Sequence, residues 1–245
     1  MRVESLILRM RPRSPLDAAD LGIRLAQASA KSVYRCYAVV AVPIIALALA
    51  THEIATWLPL LFLWWAKPWL DRTIVFVLSR AAFGQRTSLG DLWQAQRTVW
   101  WRQLLLTWTW RRLSPWRSLT QPVYQLEGLS LLKLPPRLKQ IRRRTSGSAL
   151  LVTSAFSTAE YAIAFGAASL LVWFAPTGEG QAVANAAIDF SQGSAGALVL
   201  AAAYAVAMLF LEPFFVAAGF AMYLNRRAEL EAWDVEQELR RAFAA

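Results

Sequence analysis

The sequence predicts an all-α polytopic membrane protein with four transmembrane helices, amphipathic helices at the cytoplasmic face, and both termini in the cytoplasm. Two observations support this fold class. First, 57% of the 245 residues are hydrophobic, and they concentrate in four long stretches. Second, the segment 85–148 carries 12 Lys and Arg against two acidic residues, an excess equal to the whole formal net charge of +10.

The apolar stretches match the length of a membrane crossing, which needs about 20 residues. Three of them have clear limits, at residues 33–50, 148–175 and 195–223. The remaining stretch, second in the chain, begins at Ile54, and two ends are open for it. Either it stops near Trp69, or it continues to Phe83 as one helix kinked at Pro68.

The cations set the orientation, because Lys and Arg concentrate in cytoplasmic loops near the ends of spans. The N-terminal segment, the block 85–148 and the C-terminal tail are rich in Arg, whereas the links 51–53 and 176–194 contain neither Lys nor Arg. We therefore expect one membrane domain, 1–245, with both termini and one large loop in the cytoplasm. Its parts are a cytoplasmic segment, a first transmembrane hairpin, a basic Trp-rich region, a second hairpin and a cytoplasmic C-terminal helix, at residues 1–32, 33–84, 85–147, 148–223 and 224–245.

Helices are also expected outside the spans, at residues 17–31, 90–113, 137–144 and 226–243. The first follows the start signal Ser14–Pro15, and the last carries Arg227 and Glu231 at the i,i+4 spacing of a helical ion pair. Ten of the 12 Trp lie between residues 57 and 116. Because Trp and Arg suit the headgroup layer, helix 90–113 either lies at the membrane surface or packs on the cytoplasmic ends of the spans.

Two carboxylates lie inside apolar stretches, where an ionisable side chain costs about 2.5–3.5 kcal/mol on insertion scales. Counted from the cytoplasmic ends of their spans, Glu160 and Glu212 lie at nearly the same depth. If the second span continues to Phe83, Arg72 reaches this depth too, and Asp71 is adjacent. We predict a buried polar cluster of these four residues, which either holds the helices together or serves as a proton or cation relay or a lipid-headgroup site. The side chains expected to hydrogen-bond to it are Tyr161 and Tyr204.

A second candidate site is a group of cations just before the third span, formed by Arg137, Lys139, Arg142, Arg143 and Arg144. Cations beside a span attract anionic headgroups, at about 1 kcal/mol per charge near the surface. The group predicts contact with anionic lipids or with a partner protein, and the alternative is a determinant of topology alone.

The sequence argues against an enzyme. Cys36 is its one cysteine and His52 its one histidine, which leaves no disulfide within the chain and no metal site built from Cys or His clusters. It contains no nucleophile elbow, P-loop, Gly-rich dinucleotide loop or His-Glu-x-x-His motif. The cations flank spans, which indicates orientation in a membrane rather than binding of nucleic acid. No catalytic residue, metal or cofactor is predicted.

The chain also contains three distinctive strings: KPWLDRTIVFVLSRAAFG (67–84), WRRLSPWRSLTQPVYQLEG (110–128) and EPFFVAAGFAMYLNRRAELEAWDVEQELRR (212–241). Together they resemble a poorly characterised family of bacterial inner-membrane proteins, commonly encoded beside a MoxR-type AAA+ ATPase and other small membrane proteins. The string YLNRRAELEAWDVE (223–236) is also similar to the closing motif of the membrane domain attached to some glycerophosphodiester phosphodiesterases, where it belongs to the anchor and not to the catalytic part. The resemblance implies a non-enzymatic membrane component that works with an ATPase-driven assembly, and it carries over no functional residue.

These features predict a non-catalytic subunit or scaffold of an envelope-associated membrane complex in the bacterial inner membrane. It would bind partners through its Arg- and Trp-rich cytoplasmic face. The alternative is a small transporter or lipid-handling protein that uses the intramembrane polar cluster. The expected partners are the lipid bilayer, anionic lipids, other membrane proteins and a MoxR-type ATPase system, with no role for nucleic acid.

Overall fold

The computed structural model describes residues 13–102, 104–109, 112–130, 132–173, 188 and 193–231. All regular elements within these residues are helical, as the predicted all-α class requires. The α-helices in chain order are α1 (Pro15–Ala28), α2 (Ala30–Ala50), α3 (Leu58–Ala81), α4 (Leu89–Gln94), α5 (Leu104–Trp108), α6 (Arg117–Leu126), α7 (Leu134–Arg142), α8 (Ser146–Trp173) and α9 (Ser194–Glu231). A 3-10 turn at Thr51–Glu53 and a π-helical turn at Arg97–Trp101 complete the described elements.

The chain divides into two compact units. Unit 1 consists of Met1–Tyr37, Pro68–Ser154 and Pro213–Ala245. Unit 2 consists of Ala38–Lys67 and Ala155–Glu212.

Three helical segments are long and apolar enough to cross a membrane, namely Ala30–Glu53, Ser146–Leu170 and Ser194–Glu231. Such segments are typical of a membrane protein. The 24-residue α3 is not among them, because Lys67, Asp71 and Arg72 lie near its middle. It is nevertheless one helix that continues through Pro68 to Ala81. Of the two ends predicted for the second apolar stretch, near Trp69 or near Phe83, the structure agrees with the later one.

At the N-terminus, α1 begins at the predicted start signal. The Ser14 hydroxyl accepts a hydrogen bond from the Asp17 N–H at 3.2 Å, and Pro15 takes the first helical position. The helix ends at Ala28, earlier than predicted, because Ser29 leaves helical geometry with φ −105° and ψ 16°. This one residue separates α1 from α2.

Segment 90–113 was expected to be one helix, and this prediction is wrong. The structure divides it into α4, a π-helical turn at Arg97–Trp101 and α5, with extended backbone at Arg102 (φ −64°, ψ 121°). The physical reason is competition from α3. The Trp100 indole donates to the Thr73 hydroxyl at 2.9 Å, and the Arg72 guanidinium donates to the Thr98 carbonyl at 3.2 Å. These tertiary contacts override a local helical preference that is weak in a run of β-branched and aromatic residues.

The helix predicted at 137–144 is α7. It begins three residues earlier, at Leu134, because Pro135 and Pro136 fit its first turn. It ends at Arg142, and Arg144 then takes a left-handed conformation with φ 71° in the turn before α8.

The last helix, α9, includes residues 226–231 of the predicted C-terminal helix. The expected ion pair between Arg227 and Glu231 is confirmed, at 3.0 Å. The rest of that predicted helix, residues 232–243, lies outside the described residues, as do residues 1–12, 244–245 and most of the link 176–194.

Two glycines allow close helix packing within unit 1. A Cβ at Gly22 of α1 would meet the backbone of Ala217 in α9, and a Cβ at Gly219 of α9 would meet Ser118 in α6. The C-terminal part of α9 therefore lies directly against both α1 and α6, and a larger residue at either position would push the helices apart.

Candidate functional site

The strongest candidate site is a cluster of three buried ions in unit 2. Lys67 of α3 contacts Glu160 of α8 and Glu212 of α9, the second through Glu212 Oε2 at 2.9 Å from Nζ. All three residues are between 1 and 5% exposed. We call these side chains the Lys67 cluster.

Two tyrosines line the Lys67 cluster. The Lys67 ammonium lies 5.2 Å from the centroid of the Tyr204 ring, within the range of a cation–π interaction. Tyr204 in turn stacks on Tyr161, with ring centroids 5.9 Å apart and an interplanar angle of 22°. The aromatic face thus adds to the stabilisation of the ammonium that the carboxylates provide.

The cluster is chemically unbalanced. One ammonium faces two carboxylates, so the three side chains carry one formal negative charge when all are ionised. Removing ions from water is expensive, and a buried pair persists when its geometry is good and its remaining lone pairs are satisfied. A proton or a small cation at the carboxylates would balance the charge. The arrangement can therefore hold helices together, and it can also accept a positive charge.

The depth count from the sequence gave Arg72 as the cation for Glu160 and Glu212, and the structure corrects this to Lys67. Counting depth along a helix does not determine which face a residue occupies. Two residues five positions apart point about 140° away from each other around an α-helix. Lys67, five residues before Arg72, occupies the face that meets the two glutamates. The signal available in the sequence was a second cation in the same apolar stretch, within about two turns of the matched depth.

Asp71 and Arg72 have contacts of their own within unit 1. Asp71 pairs with Arg117 of α6 at 2.9 Å, and both side chains are buried. The Arg117 guanidinium also lies over the Phe215 ring, 5.2 Å from its centroid. Arg72 donates to the Thr107 hydroxyl at 3.0 Å. These contacts fasten α5 and α6 to α3.

The five cations predicted to meet lipid or a partner divide into two groups. Arg137 binds the Glu127 carboxylate with two hydrogen bonds of 2.8 and 3.0 Å and Glu231 with one of 2.7 Å, and these bonds, that to Glu127 above all, raise the pKa of Arg137. Arg142 lies over the Trp116 ring, 5.0 Å from its centroid. The exposed members are Lys139, Arg143 and Arg144.

The carboxylates bound to Arg137 belong to a wider network, of which the sequence predicted only the pair Arg227–Glu231. The Tyr223 hydroxyl donates to Glu127 at 2.9 Å, and Arg227 binds both oxygens of Glu231 at 3.0 Å. This network joins the end of α6, α7 and the C-terminal end of α9. Among the described residues, no group of three His, Cys, Asp or Glu side chains is placed to hold a metal ion.

Comparison with known proteins adds no relative: no family model, no curated protein and no solved structure matches the chain.

Proposed function

We propose that the chain is a four-span protein of the bacterial inner membrane with both termini in the cytoplasm. In addition to the three helices that are apolar enough to cross a membrane, α3 forms a span, the second in chain order. Its 24 residues extend about 36 Å at 1.5 Å per residue, enough for a hydrocarbon core of about 30 Å. Its buried ions have polar partners: Lys67 pairs with Glu160 and Glu212, and Asp71 pairs with Arg117. Arg72 donates to the Thr107 hydroxyl. The distribution of Lys and Arg supports the orientation.

This topology can be tested with single cysteines in a Cys36→Ala background. His52→Cys lies in the turn after α2 and Arg86→Cys in the turn after α3. On intact spheroplasts, a membrane-impermeant maleimide should label His52→Cys at once and Arg86→Cys only after permeabilisation. Labelling of Arg86→Cys from outside would contradict a four-span chain with cytoplasmic termini.

Within that membrane, we propose a non-catalytic subunit or scaffold of an envelope-associated complex. The observation that carries this proposal is a group of exposed, large apolar side chains within residues 93–113 of unit 1, which we call the Trp/Leu surface. Its members are between 41 and 78% exposed: Trp93, Trp101, Leu105, Trp108 and Leu113. Large apolar side chains exposed together on a protein mark interaction sites, and Trp is enriched at protein interfaces. The contacts from α3 to Thr98, Trp100 and Thr107 hold this segment in place.

The partner is proposed to be another membrane protein. The family resemblance suggests a complex that includes a MoxR-type ATPase system. The test is a photo-crosslinking amino acid at Leu105, with a matched control at Leu16 of α1, which is also exposed. In host membranes, we expect a discrete protein adduct from Leu105 and none from Leu16. Adducts to lipid alone would instead place the Trp/Leu surface in the headgroup layer and contradict the partner role.

A second candidate function, transport or lipid handling, is favoured by the Lys67 cluster. Its unbalanced charge is suited to binding a proton, a cation or a positively charged headgroup within the membrane. Replacing Glu160 or Glu212 with Gln removes one carboxylate charge while keeping the shape. If either variant assembles normally and loses proton or cation flux in liposomes, transport is supported. If both variants show the flux of the wild type, the transport role loses the residues on which it depends.

A further inference from the structure

A large cleft in unit 1 lies beside the start of α2. Its volume is about 890 Å³, and its walls are the end of α1, the first turns of α2 and the turn that follows α3. Much of the lining is apolar, from Leu25, Ala28, Ala30, Ala81 and Ala82. The volume falls within the range of about 300–1,000 Å³ typical of ligand sites. We call it the α1–α2 cleft.

Three cations surround this cleft: Lys31, Arg35 and Arg86. All three are exposed, and none forms a salt bridge with any residue that the structure describes. No Asp or Glu is among the residues that line the cleft. Lys31 and Arg35 stand four residues apart on one face of α2, a spacing at which like charges repel. An anion between them would relieve this repulsion.

The walls of the cleft are tied to each other. The Ser32 hydroxyl of α2 donates to the Thr87 carbonyl at 2.9 Å. The turn after α3 depends on Gly84, whose φ of 72° is in the left-handed region that favours glycine. Ser88 and Asp91 then form a capping box that fixes the start of α4. The cleft is therefore formed before any ligand arrives.

We propose that the α1–α2 cleft binds an anionic phospholipid. The lipid phosphate lies among Lys31, Arg35 and Arg86, and the glycerol and upper acyl groups lie along the apolar lining. A lipid suits this lining better than a soluble anion does, and α2 is one of the segments apolar enough to span a membrane. The proposal depends on the membrane insertion proposed above, but it is independent of partner binding at the Trp/Leu surface.

The test is a lipid titration of delipidated protein in a neutral detergent, followed by native mass spectrometry. Phosphatidylglycerol is compared with phosphatidylcholine. The test variant carries Lys31→Gln, Arg35→Gln and Arg86→Gln. The control variant carries Arg97→Gln, Arg102→Gln and Lys133→Gln, which remove three exposed cations that do not line the cleft. We expect the test variant to lose about tenfold or more in affinity for phosphatidylglycerol and the control variant to lose about twofold or less. Equal affinity in the two variants would overturn the proposal.

A second variant keeps all three charges and fills the cleft. Ala28→Trp places an indole in the lining, and we expect it to weaken phosphatidylglycerol binding as well, because the apolar lining is then blocked. If Ala28→Trp binds the lipid like the wild type, the acyl groups do not occupy the apolar lining and the proposed lipid site is wrong. If inorganic phosphate at millimolar concentration displaces the lipid fully, the cleft is a site for a soluble anion and the lipid assignment is wrong. Alkaline carbonate extraction of host membranes tests membrane insertion separately, so failure of the proposed insertion is distinguishable from failure of the lipid site.

Discussion

The two units treat buried charge in opposite ways. In unit 2 the buried ions form one cluster, with Lys67 between Glu160 and Glu212. In unit 1 the buried ions of α3 have separate partners, since Asp71 pairs with Arg117 and Arg72 binds Thr107. The cluster makes two carboxylates depend on one ammonium. The contacts of Asp71 and Arg72 are separate from each other, so the loss of one leaves the other in place.

The surroundings explain this difference. The described part of unit 2 includes parts of four long helices, and many of their exposed side chains are apolar, among them Val39, Phe165, Val206 and Phe210. Helices in lipid gain little from hydrophobic contact with each other, so interhelical polar contacts contribute to their association. In unit 1 the short helices α4, α5 and α6 have to be attached to α3 one by one. Buried charge therefore joins long helices in unit 2 and fastens short ones in unit 1.

The largest effect is expected from Lys67→Met, because Glu160 and Glu212 then lose the ammonium that they share. Breaking a buried ion pair from one side costs about 3–5 kcal/mol. For a chain of this size, that lowers the melting temperature in detergent by roughly 10 °C. Thermal unfolding followed by size-exclusion chromatography measures the change. The control is Lys139→Met, an exposed lysine, for which we expect a shift of about 2 °C or less.

A compensated variant sharpens this test. Lys67→Met combined with Glu160→Gln and Glu212→Gln removes the whole set of charges, a change that is often close to neutral for stability. We expect it to recover much of the lost melting temperature. A Lys67→Met protein that melts like the wild type would show that the cluster does not hold unit 2 together.

The second-largest effect is expected from Arg117→Met, which removes the guanidinium that contacts Asp71 and Phe215. We expect a loss of about 3 kcal/mol in the free energy of unfolding. We also expect the destabilisation to be confined to unit 1. Hydrogen exchange should rise in α6 and change little at residues 194–212 of α9. Adding Asp71→Asn should restore part of the protection. Equal acceleration in both units would mean that they do not respond separately to buried charge.

The sequence predicts the helical class, the start of α1 at Ser14–Pro15 and the pairing of Arg227 with Glu231, because each depends on local patterns. It does not predict Lys67 as the partner of the glutamates. Hydropathy fixes depth along a helix, whereas the partner depends on which face of α3 meets α8 and α9. It also misses the break at Arg102, where contacts with α3 compete with local helical preference. The four-span topology and the cytoplasmic termini remain predictions.

A third, intermediate effect is expected at Gly219 in unit 1. A Cβ there would meet Ser118 of α6, so Gly219→Ala should destabilise the protein by about 1–3 kcal/mol. Gly166 in unit 2 is the matched control, since a Cβ there meets nothing within 4 Å. Gly166→Ala should stabilise the helix by about 0.5–1 kcal/mol. Opposite shifts in melting temperature support close packing of α6 on α9, and two stabilising shifts would argue against it.

The smallest effect concerns Asp91 at the start of α4, where the charge is partly exposed rather than buried. The hydrogen bond from the Ser88 backbone N–H, followed by that with the Ser88 side chain, lowers the pKa of Asp91 below its ordinary value of 3.8. A carboxyl with a lowered pKa stabilises the folded state above pH 3.8, and this contribution is lost as the pH falls through the lowered pKa. Wild-type protein should therefore melt slightly above Asp91→Asn at pH 6.5, and the difference should shrink toward pH 3. A difference that stays constant over this range would mean that the capping box acts through its geometry and not through the charge of Asp91.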